Sequence, residues 1–264
     1  MTNPDPAVIC LSGGLDSTSL LIRLLAEGRY VHGISFDYGQ KHKIEIQRLQ
    51  ANLAYLSDNG LKVNWHLVDL STLAPLLDSA LTTQSWEVPT GFYESENMKQ
   101  TVVPNRNAIF SSIAFASALS LSQKHSCCVD ICLGVHSGDH AIYPDCRPEF
   151  YDAIFKAFQL GNWESEKIQL HLPYLEWDKH KILQDAQTNI QELGLDFETV
   201  FRNTITSYAP DSEGNSSGLT GSDVERILAF KQLGIADPIS YAAPWEEAVA
   251  QALAYQAEHL AREN

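Results

Sequence analysis

Short apolar runs alternate with longer amphipathic stretches through the first half of the chain. Residues 7–11, Ala-Val-Ile-Cys-Leu, predict a buried strand, and 18–26 predict a helix that stops at Gly28. Residues 30–36 predict a second strand, and 43–56 an amphipathic helix with Ile44, Leu49, Leu53 and Leu56 on one stripe. A third strand is expected over 61–68, a helix rich in Ala, Ser and Phe over 107–121, and another buried strand over 127–134. Short apolar strands alternating with helices imply right-handed crossovers and an α/β fold, a parallel sheet with helices on both faces. Pro75, Pro89 and Gly91 then break any period across 71–100, and a long insert of that kind is more often functional than decorative. Residues 210–218 predict a flexible loop, and a final helix is expected over 245–262, after Pro244. With no internal repeat or interdomain linker, the chain reads as one α/β domain, 1–200, with a helical C-terminal extension, 201–264.

Composition narrows the class of partner. The 264 residues carry 18 basic against 33 acidic side chains, a formal charge of −15. A field of that sign repels phosphate backbones, so nucleic acid is not an expected partner, and a phosphate ligand must be held locally. No apolar run approaches the roughly 20 residues that span a bilayer. Residues 1–6 carry no basic region ahead of an apolar stretch, so no membrane contact and a cytoplasmic location are expected. Five cysteines without a CxxC pair read as buried, reduced thiols.

The candidate chemistry begins at LSGGLDSTS, residues 11–19, where a predicted strand runs into a predicted helix. Ligands of open parallel sheets sit at the carboxyl ends of strands, where helix N-termini point. Gly13 and Gly14 allow the backbone to approach an anion, and Ser12 and Ser17 add hydroxyl donors. The plainer alternative is a tight turn with Asp16 or Ser17 capping the helix. The loop lacks the lysine of GxxxxGK[ST] and the glycine spacing of GxGxxG, which removes kinase-like and dinucleotide readings.

S-G-G-x-D-S resembles the pyrophosphate loop (PP-loop) of the N-type ATP pyrophosphatases, which split ATP between the α and β phosphates and adenylate an oxygen. Five further blocks follow in order: residues 35–42 (SFDYGQKH), 103–107 (VPNRN), Gly134-Val135, 143–147 (YPDCR) with Glu149-Phe150, and Asp178-Lys179. Together they are similar to the 7-cyano-7-deazaguanine synthase (QueC) family of queuosine biosynthesis. The resemblance runs from Val8 to Pro238 and implies a Rossmann-like, adenine nucleotide alpha hydrolase-like sheet. It also implies ATP and Mg²⁺ as cofactors, and adenylation of 7-carboxy-7-deazaguanine. Ammonia then displaces AMP to give an amide, and a second ATP-dependent step makes the nitrile.

Carried over by position, the resemblance implies that Ser12, Gly13, Gly14, Asp16 and Ser17 hold pyrophosphate, with Asp16 also on Mg²⁺. Phe36, Asp37 and Gln40 fall beside the nucleotide, and Arg106 is a phosphate or substrate cation. Tyr143, Asp145 and Arg147 fall near the deazaguanine base, Lys179 at a phosphate, and Asp139 in the loop on the acceptor side. The reacting set would be Asp16, Ser17, Arg106, Asp139 and Lys179. Plainer alternatives stay open. In these, Asp37 ends a strand, Arg106 pairs with a helix carboxylate, Asp145 caps a helix, and Lys179 is a surface charge. His136 and His140 lack a third ligand and do not establish a metal site.

The chain departs from the family pattern in two places. Where the family carries four zinc-binding cysteines, it has Ser207, Ser217, Thr220 and Asp223; hydroxyls are poor Zn²⁺ ligands, so no zinc is expected. On the acceptor side, His136-Ser137-Gly138 replaces Cys-Glu-Thr, and Asn105 replaces a glycine. The nucleotide half is kept while the acceptor half has drifted. Three readings follow: a ligase-type enzyme making a free deazaguanine amide or nitrile, a paralogue of the kind found in antiphage defence that joins the activated base to a protein amine, and a non-catalytic nucleotide-binding partner. The assembly expected is a homodimer or a complex with a protein partner.

Overall fold

The computed structural model describes residues 4–41, 43–92, 94–140 and 142–263, apart from the side chains of Glu96, Asp139 and Glu263. His42 and Ala141, which fall within two of the motif regions, lie outside the described residues.

Five strands form one parallel sheet: β1 (Ala7–Cys10), β2 (Val31–Asp37), β3 (Val63–Asp69), β4 (Val129–Cys132) and β5 (Ile168–His171), in the order β3-β2-β1-β4-β5. The chain winds outward from β1 through β2 to β3, then returns to the other side of β1. That reversal puts the topological switch point between β1 and β4, where ligands of such sheets bind. The strand expected over 61–68 runs over Val63–Asp69, and β5 went unread because four residues, Ile-Gln-Leu-His, carry too short a period.

β1 is apolar throughout because both of its faces are covered. Ala7, Ile9 and Leu11 enter one core with Leu20, Leu21 and Leu24 of α1 (Leu15–Ala26) and Ile182, Leu183 and Ala186 of α5 (Lys179–Glu192). Val8 enters the other, with Ala114, Phe115 and Ala118 of α3 (Arg106–His125) and Tyr151 and Phe155 of α4 (Pro148–Gly161). α2 (Ile44–Asp58) adds Leu49 and Leu56 to the first core, as the stripe predicts. The same core takes Phe201 of α6 (Phe197–Arg202) and Phe230 of α7 (Gly221–Leu233). α8 (Trp245–Glu263) packs Ala248 and Ala252 against Val224 and Ile227. Among the described residues no helix is long and apolar enough to cross a membrane.

Two segments differ from expectation. The loop at 210–218 is tied rather than loose. The Asn215 and Glu213 backbone N–H groups each donate to Asp211 Oδ1 at 2.9 Å, and Ser216 is buried and bridges to Tyr241. The 71–100 insert opens with a short 3₁₀ helix at Ser71–Leu76 and runs into another at Glu96–Thr101, and its Leu77, Leu81 and Met98 are buried. All five cysteines are free, and burial pushes the Cys132 thiol up to about 12, so it stays protonated.

Candidate active site

The glycine loop turns at the carboxyl end of β1. Gly13 sits at φ +84°, and a Cβ there would collide with the Glu45 carbonyl at the start of α2. Only glycine satisfies both demands. Gly14 is the extended N-cap of α1 (φ −81°, ψ 172°), and its position offers no side-chain acceptor to the first-turn N–H groups. The first N–H groups of α1 are therefore unspent, which leaves a positive dipole end for an anion. Ser12 and Ser17 brace the turn: their hydroxyls lie 3.0 Å apart, and the Gly14 N–H donates to Ser12 Oγ at 3.2 Å. Gly134, at the end of β4, lets that strand approach the Asp16 backbone; a Cβ would lie 3.2 Å from the Asp16 carbonyl.

Asp16 gathers a charged cluster from three elements. Lys179 Nζ, at the start of α5, lies 3.4 Å from Asp16 Oδ2 and 2.7 Å from Glu225 Oε2 of α7. His136 Nε2 lies 3.7 Å from Asp16 Oδ2, and its Nδ1 accepts the Gly138 N–H at 3.1 Å. That bond assigns the ring proton of a neutral His136 to Nε2, facing Asp16. Lys179 is 5% exposed, so it is a buried cation and not a surface charge. Asp16 Oδ1 is buried and makes no hydrogen bond. A buried carboxylate oxygen without a partner is costly, and its hard donor chemistry suits a divalent cation such as Mg²⁺. Glu225 escaped the sequence reading because its helix carries no clean period: Asp223 and Arg226 are buried beside its apolar residues.

A cavity of about 260 Å³ opens beside the loop, lined by Ser12, Gly14, Asp16, Ser17, Phe36 and Gln40, and by Arg106, Tyr143, His136 and Lys179. Tyr38, Glu45 and Tyr208 also line it and were not expected from the sequence. Phe36 stacks on Phe110 with ring centroids 4.0 Å apart, and Gln40 Nε2 donates to the Phe36 carbonyl at 3.3 Å. Arg106 opens α3 after Asn105, which sits in the left-handed region (φ 58°, ψ 17°). That conformation accounts for glycine in the family pattern and for asparagine as a tolerated replacement. Among the described residues Arg106 forms no close ion pair, although its guanidinium faces Glu45 of α2; its Nε donates to Asn107 Oδ1 at 3.3 Å, and Tyr38, Tyr143, Tyr208 and Cys146 surround it. The Tyr143 hydroxyl lies 2.6 Å from Thr101 Oγ1, at the end of the 3₁₀ helix that closes the insert.

Four of the sequence-derived residues lie off the cavity wall. Gly13 turns behind the loop. Asp37 ends β2 and pairs with Lys43 Nζ at 2.6 Å. Arg147 precedes α4 and donates to the His140 carbonyl at 2.9 Å. Asp145 lies in the short turn Pro144–Cys146, caps no helix, and keeps a buried, unpartnered Oδ1 next to Cys146 on the wall. Asp139 belongs to the turn Ser137–Asp139 on the same side; its side chain lies outside the described atoms.

The family profile described as queuosine biosynthesis protein QueC matches residues 6–234. The chain belongs to the QueC family. The 7-cyano-7-deazaguanine synthase of Caldicellulosiruptor bescii is 40% identical over 235 residues, covering 89% of this chain and 96% of that protein. Its namesake from Methanoregula boonei is 43% identical over 235 residues, covering 89% and 98%.

At the positions of the QueC family's four cysteines the structure shows one hydrogen-bonded knot. Ser207 Oγ, Ser217 Oγ and Thr220 Oγ1 donate to a single oxygen, Asp223 Oδ2, at 2.9, 2.8 and 2.8 Å, and the Thr220 N–H adds a fourth bond at 3.3 Å. Burial raises the Asp223 carboxyl above the usual range while these donors pull it back. Three hydroxyls already committed to a carboxylate do not fit Zn²⁺. Asp223 holds together the loop that presents Thr206, Ser207 and Tyr208 to the cavity.

Proposed function

We propose that this chain uses ATP to adenylate the carboxylate of 7-carboxy-7-deazaguanine, and that ammonia then displaces AMP to give the amide, with a second ATP-dependent round dehydrating it to the nitrile. One observation carries the reading. A single cavity joins an uncapped helix N-terminus and the orphaned Asp16 oxygen to a second wall of Arg106 and Tyr143. The relatives' shared name supplies the substrate class.

A carboxylate is a poor electrophile, and two anions must meet for its oxygen to attack the α-phosphorus. Arg106 and Lys179, fixed before substrate arrives, offset that repulsion. The α1 amides and the Ser12 and Ser17 hydroxyls receive the departing pyrophosphate. Bound Mg²⁺, held by Asp16, would neutralise charge on that leaving group. Phe36 and Phe110 offer the adenine an apolar wall, with Gln40 bracing the backbone there. Tyr143 stacks on the deazaguanine, and Asp145, which lies off the wall in this structure, turns its unpartnered oxygen toward the base to accept from its N1–H and exocyclic amine. In this division residues 1–200 hold the nucleotide, while the extension 201–264 lends Tyr208 to the cavity and Glu225 to the cluster.

A second reading, in which another amine such as one on a protein replaces ammonia, draws on the altered turn at His136-Ser137-Gly138. A side chain at position 138 would strike Glu225, so the turn and the charged cluster are fitted to each other. Incubation with ATP, Mg²⁺, 7-carboxy-7-deazaguanine and ammonium, followed by mass analysis, separates the readings. Nitrile or amide supports the first. AMP without either supports another acceptor. Absence of AMP refutes adenylation and leaves a nucleotide-binding partner.

A further inference from the structure

Glu45 lies in the first turn of α2, with its backbone pressed against Gly13 of the phosphate loop and its side chain on the cavity wall. It makes no hydrogen bond or ion pair with any described residue, although other acidic groups of the site, such as Asp16 and Glu225, are paired. The titratable groups facing it are the Arg106 guanidinium from α3 and the Tyr38 phenol from the loop after β2; Lys41 lines the same cavity. The adenylated acid must meet its amine in this cavity, and ammonium carries no free lone pair. The site therefore needs a proton acceptor that is not already neutralised. Asp16 is committed to Lys179, and His136 Nδ1 to Gly138.

We propose that Glu45 is the proton acceptor for the attacking amine, an inference that rests on the adenylation reading. Ammonium gives one proton to the Glu45 carboxylate, and the freed nitrogen lone pair forms the C–N bond to the acyl carbon. The acyl C–O bond to phosphate breaks, AMP leaves with that electron pair, and the second N–H proton passes to solvent. Burial raises the Glu45 carboxyl to about 7, against the opposing pull of Arg106, and a base poised there is matched to neutral pH.

The test compares Glu45→Gln and Glu45→Asp with the parent chain, using ammonium or hydroxylamine as nucleophile. Hydroxylamine is largely unprotonated at neutral pH and needs no base to free its lone pair. The expected result is that Glu45→Gln loses about 100-fold in amide formation from ammonium at neutral pH. It regains rate as pH rises, and forms hydroxamate within a few-fold of the parent. Glu45→Asp is expected to retain part of the ammonium rate. Equal losses with both nucleophiles would place Glu45 in substrate binding or in structure, and no loss would leave it without a role; either result overturns the proposal. A parent chain that makes neither amide nor hydroxamate overturns the proposal, and the absence of AMP as well refutes the adenylation reading itself. Thermal melting of each variant identifies loss through misfolding.

Discussion

Asp16 places one carboxylate oxygen on Lys179 and leaves the other buried and unpartnered, an arrangement with a stability cost that a bound cation removes. Asp16→Ala is expected to reduce AMP release by at least about 100-fold, measured as pyrophosphate produced per mole of enzyme. Asp223 gives a contrasting prediction that concerns folding. Truncating it to alanine strands three hydroxyls and one backbone N–H, so Asp223→Ala should lose about 3 kcal/mol in urea unfolding. Asp223→Asn, which keeps an acceptor oxygen, should lose less. Glu45 supplies the pH dependence. Its folded value is raised from 4.5 to about 7, so its stabilising contribution is complete below about 4.5 and is lost as pH rises through about 7. Denaturant titrations across that window should show the parent chain losing stability relative to Glu45→Gln. At this scale the sequence disclosed residues whose chemistry sits in a motif, such as Ser12, Asp16 and Arg106. It did not disclose Glu45, Tyr38 or Glu225, because ordinary residue types acquire a role only through the cavity they face.

The junction of β1 and α1 shows what a pattern can and cannot reveal. Hydrophobic periodicity predicts a helix from residue 18, whereas α1 begins at Leu15. The difference arises because Asp16 and Ser17 read as loop chemistry while Gly14 takes the N-cap in extended form without a capping side chain. The first turn is thus helical and also chemically open. Gly13→Ala should displace the start of α2, since the added methyl meets the Glu45 carbonyl and φ +84° disfavours any Cβ. The expected outcome is a lowered melting temperature together with a raised KM for ATP. The helices α5 to α7 were not read for a related reason. α6 has six residues, and α7 buries Asp223 and Arg226 beside its apolar side chains, which erases the amphipathic period. The capping box of Thr220 and Asp223 was present in the sequence as T-x-x-D, which departs from the usual S/T-x-x-E spacing signal only in its acid.

Over the whole molecule, the alternation of strands and helices was enough to specify a parallel sheet, and the order β3-β2-β1-β4-β5 puts every motif loop at its carboxyl edge. What ties the C-terminal segment to itself was hidden. Arg226 forms a bidentate pair with Asp237, Nε to Oδ2 at 2.6 Å and Nη2 to Oδ1 at 2.9 Å, with both side chains fully buried. Arg226 Nη1 also donates to Thr204 Oγ1 at 2.8 Å, and the Tyr241 hydroxyl donates to Asp237 Oδ2 at 2.7 Å. Removing one partner leaves an uncompensated buried charge, so Asp237→Ala should cost about 3–5 kcal/mol in chemical denaturation. The glycine loop supports the proposed function more than the acceptor side does, because the loop from 136 to 140 departs from the family pattern while the glycine loop does not. The central claim is transfer of AMP to a carboxylate oxygen. It is tested most directly by supplying 7-carboxy-7-deazaguanine labelled with heavy oxygen in its carboxylate, together with ATP, Mg²⁺ and ammonium, and weighing the nucleotide released. The account predicts one heavy oxygen in each AMP from the first round and none in pyrophosphate. Unlabelled AMP, or ADP with labelled phosphate, would contradict it.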